Sequence, residues 1–105
     1  MFPKAWLIIF GGSRMPYNIV YTDSYNKRAR KFLKKHPDLL TQYEKTLSLL
    51  ELNPHHPSLR LHQLKGKLSD LHSVSINISY RIAITFLITE KTIVPIDLGS
   101  HDEVY

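Results

Sequence analysis

The hydrophobic period of the chain changes between its first and second halves, and the change separates helices from strands. Residues 17–22 alternate and carry Ile19, Val20 and Tyr21, which predicts a first strand. Asp23 or Ser24 is placed to cap a helix after it. Tyr25, Ala29, Phe32 and Leu33 then recur at i, i+4, i+7 and i+8, the apolar stripe of a helix. Its opposite face holds Lys27, Arg28, Arg30, Lys31, Lys34 and Lys35. Pro37 interrupts the chain after His36. Asp38 precedes a second helix with Leu40, Tyr43, Leu47 and Leu50 on one side, and Asn53-Pro54 ends it. Two helices with so short a link form an antiparallel hairpin.

Beyond residue 53 the helical period disappears. Residues 53–58 are a loop, 59–64 are briefly apolar at alternate places, and Lys65-Gly66-Lys67 is a turn. Residues 72–79 alternate strictly, with Val74, Ile76 and Ile78 on one side and Ser73, Ser75, Asn77 and Ser79 on the other. Residues 80–88 form a second strand with Ile82, Ile84 and Phe86 inward. Glu90-Lys91 turns the chain into a third, 92–98, with Val94, Ile96 and Leu98 inward. Pro95 cannot donate to a ladder, so it demands an edge or a bulge. The order predicts an α+β fold: an N-terminal strand and a two-helix hairpin packed on one face of a mainly antiparallel four-stranded sheet. The other face, lined by small polar residues, is where a site can lie.

Composition narrows the function. The 105 residues suit one domain, and 43% hydrophobic content makes it globular. The absence of cysteine removes disulfides, thiolate metal sites and thiol catalysis, and it favours a reducing compartment such as the cytoplasm. A net charge of +5 suits a polyanionic partner. The apolar run 5–10 is far shorter than the roughly 20 residues of a membrane span, so no membrane partner is expected. Met15 offers a second start site, with Gly11-Gly12 upstream of it. Residues 1–14 are therefore expected to be a leader or tail outside the fold, and 15–105 the domain.

None of the six histidines has a metal spacing. His55 and His56 are adjacent in a loop, and His36 suits the negative end of a helix dipole. His62, His72 and His101 are candidates for proton transfer, each with a structural role as the alternative. Arg81 alternates away from Ile82 and Ile84, so it faces the open side with room for a phosphate; its alternative is an ion pair with Glu90 or Asp97. Tyr105 can stack on a base or dock on the sheet. Asp97, Asp102 and Glu103 have no second carboxylate cluster to complete a cation site, and the glycines at 11, 12, 66 and 99 make no nucleotide cradle. No metal or cofactor is expected.

Three motifs in order carry a resemblance: His62-Gln63-Leu64-Lys65-Gly66, Tyr80-Arg81 entering an apolar strand, and Gly99-Ser100-His101-Asp102-Glu103-Val104-Tyr105. Together with the element order, over residues 17–105, they resemble the RelE/ParE toxin superfamily, nearest its YafQ-like branch. The resemblance implies a RelE-like fold and the toxin of a type II toxin–antitoxin module. It implies a metal-independent endoribonuclease that cleaves mRNA, on the ribosome, by attack of the 2′-hydroxyl. The implied catalytic set is His62, Arg81, His101 and Tyr105, with Lys65, Lys67, His72 and Ser75 in contact with RNA. The implied partners are a cognate antitoxin, mRNA and the ribosome. The chain departs from the pattern where RelE has lysines, at Ser73 and Ser75, and where YafQ-like members have a histidine and an aspartate, at Ser75 and Ser79. Tyr80 replaces the branch's tryptophan, and His72 can substitute for a missing group. The departures leave two alternatives: a ParE-type toxin that poisons gyrase, or a degenerate toxin that only binds antitoxin.

Overall fold

The computed structural model describes residues 17–68, 70–87 and 90–100. The expected leader, residues 1–14, lies outside them. The chain runs β1 (Asn18–Ile19), α1 (Asp23–Lys35), α2 (Leu40–Leu52), β2 (His62–Gln63), β3 (His72–Ser75), β4 (Tyr80–Leu87) and β5 (Thr92–Ser100). The strands form one sheet in the order β1-β5-β4-β3-β2. Only β1 is parallel to its neighbour. The α+β architecture and the mainly antiparallel sheet agree with the sequence. Among the described residues the sheet has five strands rather than four, because β2 is a two-residue pairing too short for alternation to announce.

Helix α1 begins one residue earlier than expected: Thr22 is the cap, its hydroxyl accepting from the Tyr25 amide at 3.1 Å. Tyr25 and Ala29 are buried, with Phe32 and Leu33 packed beside them. In α2 the buried positions are Tyr43, Thr46 and Leu50. Leu40, expected on the stripe, is 48% exposed, because the turn Pro37–Leu39 carries it to the start of the helix and away from the sheet. Across the hairpin the Tyr25 and Tyr43 hydroxyls meet at 2.8 Å. Burial holds both phenols above their usual range, so both stay neutral and bonded. The helices bury Val74, Ile82, Ile84, Ile93 and Leu98 of the sheet.

Two strand expectations fail for local reasons. Residues 72–79 are not one strand: β3 stops at Ser75, and the Asn77 side-chain oxygen accepts from the Ser79 and Tyr80 amides at 2.8 and 2.9 Å, closing a turn. Ile78 therefore sits at the tip, 94% exposed, instead of inward, and Ser79 leaves the open face. In β5 the register shifts opposite Ala83 and Ile84, where Asp97 and then Pro95 are the partners. Pro95 is thus at a bulge, as its missing N–H requires. The extra residue resets the alternation, so Ile93 and Leu98 are buried while Ile96 is 40% exposed and Val94 only half-buried. No helix among the described residues is long and apolar enough to cross a membrane.

Candidate active site

Register decides what shares the open face. Side chains alternate along a strand, and directly paired residues share a side. His62 pairs with Ser73, Ser73 with Ala83, Ser75 with Arg81, and Arg81 with Gly99. This set lies opposite Val74, Ile82 and Ile84, which face the helices. The Gly99 pairing leaves a side-chain-free neighbour beside Arg81. Elsewhere on the same face, Leu64 and Leu71 pack with Ala83 as a small separate apolar cluster.

Arg81 is tightly oriented there. Its Nε donates to Ser73 Oγ at 2.8 Å, and its Nη2 donates to the Arg60 carbonyl at 3.0 Å. Ser73 is fully buried, so this acceptor is fixed in place. His62 Nδ1 lies 3.2 Å from the same Arg60 carbonyl and 3.4 Å from Arg81 Nη2. An imidazole from β2 and a planar cation from β4 thus converge on one backbone carbonyl, that of Arg60, two residues before His62. Among the described residues Arg81 forms no ion pair with Glu90 or Asp97, the alternative the sequence left open. Asp97 Oδ2 instead meets Arg28 at 3.3 Å, and its Oδ1 accepts from the Leu98 amide.

The other candidates fall in three places. Ser75 is opposite Arg81, but its hydroxyl donates to the Asn77 carbonyl at 2.6 Å and so belongs partly to the turn. Lys65 and Lys67 are exposed on either side of Gly66, whose φ of +68° suits glycine. That turn follows β2 directly. His72 pairs with Ile84, so it points to the helix side, away from Arg81. Burial lowers its pKa below the ordinary value of 6.5, and the neighbouring His62 and His55 lower it further. His101 and Tyr105, with Asp102 and Glu103, lie outside the described residues. The last described residue, Ser100, pairs with Tyr80, next to Arg81.

Sequence reasoning missed two members. Ser73 looked like a solvent-facing alternate residue, yet it is the buried acceptor for Arg81. Cross-strand adjacency to a predicted site arginine was the available signal. Arg60 carries no sequence signal, since it contributes a backbone oxygen. Clefts also run along α1, one lined by Arg30, Lys31, Leu33 and Lys34, the other by residues that include Tyr21, Tyr43 and Leu47; none of these is a site candidate.

No protein-family model matches the sequence, and no curated protein does. Solved structures do. YafQ from E. coli superposes with a TM-score of 0.69 at 14% identity, over 85% of this chain and 98% of that one. The E. coli DinJ-YafQ toxin–antitoxin complex gives 0.68 at 16%, over 86% and 98%. The conserved hypothetical protein HP0894 from Helicobacter pylori gives 0.60 at 25%, over 85% and 99%. A YoeB/ParE toxin from Agrobacterium tumefaciens gives 0.65 at 14%, over 80% and 98%. The chain has the RelE/ParE toxin fold in its YafQ-like form.

Proposed function

We propose that this chain is the toxin of a type II toxin–antitoxin pair, and that it acts as a metal-independent endoribonuclease cutting mRNA on the ribosome. The observation that carries the reading is the convergence of His62 and Arg81 on the Arg60 carbonyl, on the open face of the sheet. The shared fold with YafQ and a YoeB/ParE toxin supports it.

The chemistry follows from these groups. A base removes the proton of a ribose 2′-hydroxyl, and that oxygen attacks the adjacent phosphorus. The bond from phosphorus to the 5′-oxygen breaks, and an acid supplies the proton that the leaving oxygen needs. Negative charge builds on the phosphoryl oxygens, where a guanidinium offers two coplanar donors. Arg81 takes that role, and His62 and His101 share the proton transfers. Tyr105 stacks on the RNA, and Lys65 and Lys67, in the turn that follows β2, contact its backbone with Ser75; His72, on the helix side of the sheet, is left out of that contact. The mRNA and ribosomes place the activity in the cytoplasm. The partner is an antitoxin with an acidic or extended segment over the open face; the DinJ-YafQ complex pairs a toxin of this fold with its antitoxin.

Purified protein added to mRNA-programmed ribosomes tests the reading. Wild-type protein is expected to cut the message, and His62→Ala to cut it about 10-fold more slowly or worse, since a positioned proton carrier contributes ~100–10,000-fold. A folded wild-type protein that leaves the message intact would refute the ribonuclease, and poisoning of DNA gyrase by the same sample would assign the ParE-type function instead.

A further inference from the structure

Arg60 is one of two non-glycine residues with a left-handed backbone among those described, with φ 49° and ψ 48°. The other, Lys91, lies in the hairpin turn before β5, where such angles are common. Arg60 closes the short turn Pro57–Leu59 at a capping position that glycine usually fills, because a Cβ is crowded there. The conformation has a second effect: it aims the Arg60 carbonyl at both side chains of the site.

A carbonyl oxygen only accepts, and a guanidinium only donates. The contact from His62 Nδ1 to the Arg60 oxygen is a hydrogen bond only when Nδ1 carries the proton. Arg81 Nη2 already donates to that oxygen at 3.0 Å, the shorter of its two contacts here. Nη2 carries two hydrogens, so its 3.4 Å contact with Nδ1 is the bond of the opposite tautomer, with Nδ1 accepting; the contact of Nδ1 with the carbonyl, at 3.2 Å, is the shorter of the two. We infer that Arg60, through its left-handed carbonyl, holds neutral His62 in the Nδ1–H tautomer and so presents Nε2 as the proton acceptor of the site.

Arg60 is a positioning residue in this scheme: it acts through His62 and Arg81 and touches no substrate. The role rests on the ribonuclease reading, and it removes the ambiguity over which histidine is the base. His62 Nε2 takes the 2′-hydroxyl proton. The carbonyl then lies between the new imidazolium and the guanidinium, accepting from both and easing their repulsion. The acid that protonates the 5′-oxygen is left to His101.

Long-range proton–nitrogen spectra of the histidine-labelled protein, taken where the ring is neutral, read the tautomer directly. His62 is expected in the Nδ1–H form, the minor one for a free side chain. Arg60→Gly and Arg60→Asn, which tolerate the left-handed region, should preserve it. Arg60→Val, whose branched side chain disfavours that region, should turn His62 to the Nε2–H form. An Nε2–H ring in the wild-type protein overturns the inference without any variant. An Nδ1–H ring that survives in folded Arg60→Val, or one lost in Arg60→Gly, overturns it as well. The expected tautomer pattern in a protein that cuts no RNA would uphold the inference about Arg60 and refute the ribonuclease reading.

Discussion

Arg81 divides its nitrogens between scaffold and site: Nε is tied to a buried serine and Nη2 to a backbone carbonyl. Lysine has a single nitrogen on a flexible stem and cannot hold Ser73 while meeting a phosphate. Arg81→Lys is therefore expected to stay folded, with the loss of one hydrogen bond costing about 1 kcal/mol. It should cleave RNA about 10-fold or more slowly in single turnover, the scale of losing one preorganised donor to a developing charge. Near-normal cleavage with a normal melting temperature would remove Arg81 from the reaction. The facing of Arg81 was legible because Ile82 and Ile84 fix the parity of β4. Its anchor was not, since a serine in an alternating strand gives no sign of whether water or another side chain lies over it. His72 makes a pH prediction. Its folded-state pKa lies below 6.5, so the unfolded chain binds the proton more readily. The stability this contributes is complete above 6.5 and is lost as pH falls through the depressed folded value. Melting temperature should drop on acidification more steeply in the wild type than in His72→Gln; parallel curves would contradict the assignment.

At the level of elements, the apolar stripes placed Tyr25 and Tyr43 inward, but periodicity says nothing of how buried hydroxyls are satisfied. The structure pairs them with each other at 2.8 Å, joining α1 to α2. Removing one hydroxyl leaves its partner buried without this bond, whereas removing both leaves apolar rings in contact. Each of Tyr25→Phe and Tyr43→Phe is expected to cost about 1–3 kcal/mol in urea unfolding, and the double variant no more than either alone. Additive losses would show that the bond contributes little. The strands repeat the lesson. Proline announced an edge or a bulge at residue 95, and the structure has the bulge; it did not announce the parity reset that buries both Ile93 and Leu98. Alternation carried β3 too far, because the side-chain hydrogen bonds of Asn77 outcompete the ladder at that point.

For the molecule as a whole, the site belongs to one edge of the sheet and the chain's first strand to the other. Parallel β1 seals β5, and the helices cover one face, which leaves the β2-β3-β4 side as the region where His62, Ser73 and Arg81 meet. The element order and local motifs indicated this architecture; the meeting of residues 60, 62, 73 and 81 required the three-dimensional register. The proposed reaction is cleavage of RNA at this edge through the 2′-hydroxyl with side chains alone. The ends left by the cut test it most directly. With EDTA present, wild-type protein on programmed ribosomes should leave a 2′,3′-cyclic phosphate upstream and a 5′-hydroxyl downstream, because the 2′-oxygen replaces the 5′-oxygen on phosphorus. A 3′-hydroxyl with a 5′-phosphate, or cleavage that appears only when a divalent metal is restored, would refute 2′-hydroxyl attack by side chains alone.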